Sequence, residues 1–136
     1  MMSSRIFLVC LVFSGLAHGA ATVQKQIAAS NAWIAAPAKG ETTAMAFATV
    51  ENPTMYEIYI VAAAAEGAAG VELRQGGKPV KELTVPAYDS LEMMPGGAHL
   101  VLTSLEKPLQ AGDTVRLSLT TEAGITLAVS AIVKPQ

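Results

Sequence analysis

Beyond residue 10 the sequence contains no cysteine; its single thiol, Cys10, sits in an apolar run near the start. A chain that loses this run has no disulfide, no thiolate metal ligand and no cysteine nucleophile. Histidine is nearly as scarce, with only His18 and His99. Positive charge is thin as well: nine basic residues face eleven acidic ones, and charged residues make up 15% of the chain. Nucleic-acid binding needs clustered Lys and Arg to replace counterions, so no nucleic acid is expected as a partner. Sparse charge with 51% hydrophobic residues also argues against disorder.

The apolar run Ile6-Phe7-Leu8-Val9-Cys10-Leu11-Val12-Phe13 is well short of the roughly 20 residues needed to span a membrane. Arg5 precedes it, and the small-residue stretch Ala17-His18-Gly19-Ala20-Ala21 follows it. A basic start, a short apolar middle and a small-x-small site describe a secretory signal peptide. Residues 1–21 are therefore expected to be removed, by cleavage after Gly19 or after Ala21, with export to a Gram-negative periplasm. Lipidation of Cys10 fits poorly, because Val9 is bulky and the Cys comes early. Processing removes Arg5 and His18, so His99 becomes the sole histidine of a slightly more acidic chain. Residues 22–136 suit one domain, which at this size buries somewhat under ~70% of its unfolded surface without disulfides. No stable membrane insertion is expected after cleavage.

What remains reads as short extended runs cut by turn residues. Val23 to Ala36 ends at Pro37-Ala38-Lys39-Gly40, and Thr42 to Val50 ends at Glu51-Asn52-Pro53-Thr54. The run Tyr56 to Val61 is rich in aromatic and β-branched residues. Val71 to Arg74 and Val80 to Val85 flank Gln75-Gly76-Gly77-Lys78-Pro79, while Leu91 to Met94 and His99 to Leu105 flank Pro95-Gly96-Gly97-Ala98. Thr114 to Thr120 alternates, turns at Glu122-Ala123-Gly124, and continues in Ile125 to Val133. Many short strands with turn chemistry between them predict an all-β sandwich or barrel. Ala62 to Ala65 has helix propensity but is too short to stand alone; it reads as a strand end leading into a loop or one helical turn.

Enzyme chemistry finds little support. There is no Gly-x-Ser-x-Gly elbow, and any Ser-His-Asp arrangement would depend on His99. Gly76-Gly77-Lys78 lacks the leading glycine of a phosphate loop and precedes no helix. Carboxylates are scattered singly, so the protein is not expected to be an enzyme.

The order of several short motifs resembles the PCu(A)C-type periplasmic copper chaperones. Asn31-Ala32-Trp33, Ala46-Phe47, Glu51-Asn52, Val71-Glu72-Leu73 and Val85-Pro86-Ala87 follow one another as in that family. Pro95-Gly96-Gly97-Ala98-His99-Leu100 is the most specific match, and Pro108-Leu109 and Gly112-Asp113-Thr114-Val115 complete the series. The resemblance implies a cupredoxin-like β-sandwich that binds Cu(I) and helps deliver it for cytochrome oxidase assembly. A periplasmic copper-relay or oxidase assembly protein would be the partner. Soft thioether and imidazole ligands suit Cu(I) in that compartment.

The family's ligand pattern, His then Met then His-x-Met, is mostly missing here. Arg74 stands where the first His would be, Val101 replaces the last Met, and the segment that would hold the middle Met is shortened; His99 alone remains. An arginine is a fixed cation that cannot ligate a metal. Met93 and Met94 are adjacent and so face opposite sides of a strand. Met94 falls at a polar position of the family pattern, which makes His99 and Met94 the candidate metal residues. Met45 reads as core filler, Met55 as a turn-flanking residue and Trp33 as a core anchor. Arg74 is expected to pair with a carboxylate such as Glu72 or Glu92. Two functions follow: a copper chaperone-like protein with a weakened or lost Cu(I) site, or a metal-free periplasmic interaction module on the same fold.

Overall fold

Alternation of apolar and polar residues, stopped at intervals by Gly, Pro and Asn, produces ten strands in the computed structural model, which describes residues 26–135. These are β1 (Ala28–Ala35), β2 (Ala44–Asn52), β3 (Ile58–Ala65), β4 (Ala68–Gln75), β5 (Lys78–Pro79), β6 (Leu83–Val85), β7 (Asp89–Glu92), β8 (Ala98–Leu105), β9 (Thr114–Thr121) and β10 (Thr126–Lys134). The described residues contain no helix, so the all-β expectation holds. The leader at 1–21 lies outside them.

The strands hydrogen-bond in the order β5-β4-β8-β2-β1-β10-β9-β3-β6, with β7 paired to β2. The β1–β10 pair is parallel and the other ladders are antiparallel. Consecutive strands β3 and β4 lie in different arms of this path, on β9 and β8 respectively. The Glu66-Gly67 turn between them carries the chain across a cupredoxin-like β-sandwich. Strand β2 serves two partners: Ala44 to Ala46 pair with β8, and Thr49 to Asn52 pair with β7.

Alternation sorts the side chains. Ala44, Ala46, Leu73, Leu100 and Leu102 point into a core they share with Ile34, Ile60, Leu117, Leu119 and Val133. Each fully buried aliphatic chain of this kind contributes about 1.5–3 kcal/mol. The residues between them on β2, β4 and β8 form the other face, where the candidate site lies.

Two turns set the geometry of that region. Gly76-Gly77 joins Gln75 to its partner Lys78, with Gly76 at φ +65°, a conformation that L side chains adopt rarely. In the second turn Pro95 fixes its own φ and Gly96 sits at φ +86°; the Gly97 N–H donates to the Met94 carbonyl at 2.9 Å.

Two local expectations need correction. Ala62 to Ala65 do not leave the sheet; they continue β3, paired residue by residue with Thr120 to Leu117, and Glu66-Gly67 turns the chain into β4. Four alanines cannot repay helix nucleation, whereas the ladder to β9 satisfies their backbone at once. Val80 to Val85 is not one strand either. Pro79 ends the short β5 ladder, and only Leu83 to Val85 re-form a strand, against β3, with Leu83 and Val85 buried.

Candidate functional site

Arg74 and His99 are direct partners across the β4–β8 ladder, as are Glu72 and Val101. Direct partners project to the same face, so the positions that resemble the family's first His, second His and last Met converge here. The β2–β8 register pairs Ala46 with Leu100 and Met45 with Val101, which places Phe47 opposite His99. Phe47 in turn pairs with Trp33, and Trp33 with Ile132. One row of side chains therefore crosses five strands: Ile132, Trp33, Phe47, His99 and Arg74. A second row runs beside it through Met45, Val101 and Glu72.

Local backbone chemistry shapes the first row. Asn31 has φ +52° at the point where the β1–β2 register shifts, a bulge that Asn tolerates better than most residues. Beyond the bulge the Trp33 ring stacks on Phe47, with centroids 4.4 Å apart. Phe47 touches the His99 ring at 6.0 Å, and the Lys134 ammonium lies 5.3 Å from the Trp33 centroid. Trp33 thus anchors an aromatic row rather than the deep core, and Phe47 beneath it is fully buried.

His99 is only 6% exposed. Its Nδ1 lies 2.9 Å from the Gly97 carbonyl oxygen, which also accepts the Gly76 N–H at 2.9 Å. A carbonyl can only accept, so Nδ1 donates in this bond, which leaves Nε2 as the nitrogen that could serve a ligand. Among the described residues Nε2 has no hydrogen-bond partner. Fixing one ring nitrogen through a backbone carbonyl is the way proteins orient a histidine ligand. The same carbonyl ties the Gly76-Gly77 and Pro95-Gly96 turns together.

Arg74 is held away from this role. Its Nε donates to Glu72 Oε1 at 2.6 Å, and a terminal nitrogen donates to the Gly77 carbonyl at 3.3 Å. Glu72 is thus the expected carboxylate partner and Glu92 is not. The pair is partly exposed, so it contributes at most about 1 kcal/mol. It does cancel much of the positive charge next to His99.

The expected strand from Leu91 to Met94 is instead β7, Asp89–Glu92, and Met93 and Met94 lie just beyond it, one buried and one exposed. Met93 N–H donates to the Ala48 carbonyl, and Met93 is buried in the core. Met94 is 52% exposed and lines an open depression of about 530 Å3 with Trp33, Ile132 and Lys134. Met55 is exposed beyond the end of β2. Met45 is not core filler: it is 41% exposed, because it alternates with the buried Ala44 and Ala46. Among the described residues no three His, Cys, Asp or Glu side chains gather into a metal-binding group. Glu72, the carboxylate on this face, is held by Arg74.

One buried polar residue escaped sequence reasoning. Asn52 Nδ2 donates to the carbonyls of Tyr56 (2.7 Å), Val85 (3.3 Å) and Pro86 (3.1 Å). Its Oδ1 accepts from the Thr54 N–H and hydroxyl. The Asn-Pro-Thr turn signal was visible, but its bonds to the distant segment at 85–86 carry no local signature.

Comparison with known proteins agrees with this architecture. The family described as "Putative lipoprotein LpqE-like" matches residues 27–133. "Putative lipoprotein Lxx21020" of Leifsonia xyli subsp. xyli (strain CTCB07) is 31% identical over 114 residues, covering 77% of this chain and 68% of that protein. The solution structure of Cu(I)-DR1885 from Deinococcus radiodurans is 31% identical, covers 85% of this chain and 83% of that one, and superposes with a TM-score of 0.68. The copper-bound PCuAC domain from PmoF2, at 21% identity, covers 85% of this chain and 97% of that chain with a TM-score of 0.75, which shows a shared fold. The chain belongs to the LpqE-like family, which is PCu(A)C-like in its fold.

Proposed function

We propose that the protein is a periplasmic copper-handling protein that carries Cu(I) on a weakened site centred on His99, with Met94 as a thioether donor. One observation carries this reading: a buried imidazole with Nδ1 pinned to a backbone carbonyl, its Nε2 left without a partner, at a position that resembles a family ligand. Copper-bound forms of DR1885 and of the PmoF2 domain add weight. Arg74 and Val101 supply no ligand, so the ion is cargo held loosely enough to pass on. The recipient would be a periplasmic relay or oxidase assembly protein that contributes ligands of its own. The role is that of a carrier and not of an enzyme.

Export rests on the leader at 1–21, with residues 22–136 as one domain. The lipoprotein names of its relatives suggest the same compartment. Mass spectrometry of the exported protein should find Ala20 or Thr22 as its first residue; a lipid on Cys10 would instead make it membrane-anchored.

The competing reading is a metal-free interaction module, favoured by the Arg74–Glu72 pair standing across from His99. Titration with Cu(I) against a chromophoric chelator separates the two. One weakly held equivalent, lost in His99→Ala, supports the carrier. No copper taken from even the weakest competitor supports the module.

A further inference from the structure

Val101 is directly opposite Met45, and the two side chains share the face that carries His99. The replacement of methionine by valine at 101 therefore does not leave this region without sulfur. It leaves a thioether one strand over, on β2, diagonal to His99. Diagonal neighbours on an antiparallel pair are about 7–8 Å apart at the backbone, within reach of a long side chain. Methionine has three rotatable side-chain bonds and adapts its sulfur to the space available.

The Met45 side chain has open space beside it. Met45 is 41% exposed although it sits on an interior strand of the sheet. Beside it is a recess of about 110 Å3, lined by Met45, Val101, Ala35 and Thr43 among others. Leucine or isoleucine would serve a purely structural role here equally well, and a polar residue would suit the exposure better. Met94 stands at the start of the turn at 95–97, in the depression beside Trp33. The His99 residue is more than nine-tenths buried, and its Nε2 has no hydrogen-bond partner among the described residues.

We propose that Met45 has taken over the thioether role vacated at position 101, so that a soft ion is held by His99 together with Met45. The inference rests on the copper-carrier reading above but assigns a ligand outside the family's ligand positions. Nitrogen and sulfur donors select Cu(I) over harder divalent ions, and the carboxylate of the same face, Glu72, is engaged by Arg74.

The test uses the exported protein labelled with 13C at its methionine methyl groups, titrated anaerobically with Cu(I). The Met45 methyl resonance, assigned by its loss in Met45→Leu, should shift in step with the first equivalent, while that of Met55 stays in place. Met45→Leu should weaken Cu(I) binding at least about tenfold with the fold unchanged by circular dichroism, as expected for losing one soft ligand of few. If copper binds and His99→Ala abolishes binding while the Met45 methyl never moves, the Met45 assignment is overturned and the carrier reading survives. If no Cu(I) binds, both fall. The wild-type methyl shift does not depend on the variant folding.

Discussion

Arg74 and His99 face each other across the β4–β8 ladder, so the guanidinium occupies the place from which a second imidazole would meet the first. This makes ligand restoration a direct experiment. Arg74→His with Val101→Met puts two further donors on the face of His99, and removes the cation that Glu72 now holds. The double variant should bind Cu(I) several orders of magnitude more tightly than the unmodified protein, because soft sites are built by ligand number and type. Competition with a chromophoric chelator measures it. Unchanged affinity would mean that the added side chains do not converge on His99.

The bulge at Asn31 gives a stability prediction. Its φ of +52° suits Asn or Gly and strains a β-branched residue. Asn31→Val should cost about 1–3 kcal/mol in urea unfolding and weaken the near-ultraviolet signal of the Trp33–Phe47 stack, while Asn31→Gly should be nearly neutral. Equal stability of the two variants would show that the bulge does not depend on its side chain.

Asn52 should be among the most sensitive polar positions. Asn52→Ala strands the carbonyls of Val85 and Pro86 and frees the Thr54 turn, a loss of about 2–3 kcal/mol. Asn52→Asp should be worse at neutral pH, since it points a carboxylate at three carbonyl oxygens. Chemical denaturation of both variants provides the check, and an aspartate variant as stable as wild type would contradict the assigned bonds.

Tyr59 gives a pH prediction. Its hydroxyl donates to Glu57 Oε1 at 2.7 Å, and that hydrogen bond, with the charges of Glu57, Glu82 and Glu122, raises its pKa above the ordinary tyrosine value of about 10. The neutral phenol is the favoured form in the folded protein. The small stability it adds is therefore complete below about pH 10 and disappears as pH rises through the elevated pKa. Glu57→Gln should move the tyrosinate absorbance transition of Tyr59 downward, and a variant titrating as wild type would remove Glu57 as the main cause.

Much of this arrangement was legible in the sequence because strands have a period of two. The pairing of Arg74 with Glu72 and the shared face of positions 99 and 101 both follow from alternation, whereas Met93 and Met94 separate beyond the end of β7. Met45 did not follow. An apolar residue between Ala44 and Ala46 gives no sign of which face is wet until the neighbouring strand fixes the register. The alanine run misled for a related reason: local propensity favours a helix, and only the remote β9 makes it a strand. Asn52 was missed because two of its acceptors, Val85 and Pro86, lie more than 30 residues away.

Alternation on β8 has an evolutionary consequence. Leu100 and Leu102 hold the core, while Val101 between them and Arg74 across the ladder sit on the opposite face. Changes at 74 and 101 can therefore accumulate with little effect on folding, and a lineage can drift between strong, weak and absent metal affinity without passing through an unstable intermediate. Side chains of the candidate site and side chains that hold the core are different, interleaved letters of the same strand.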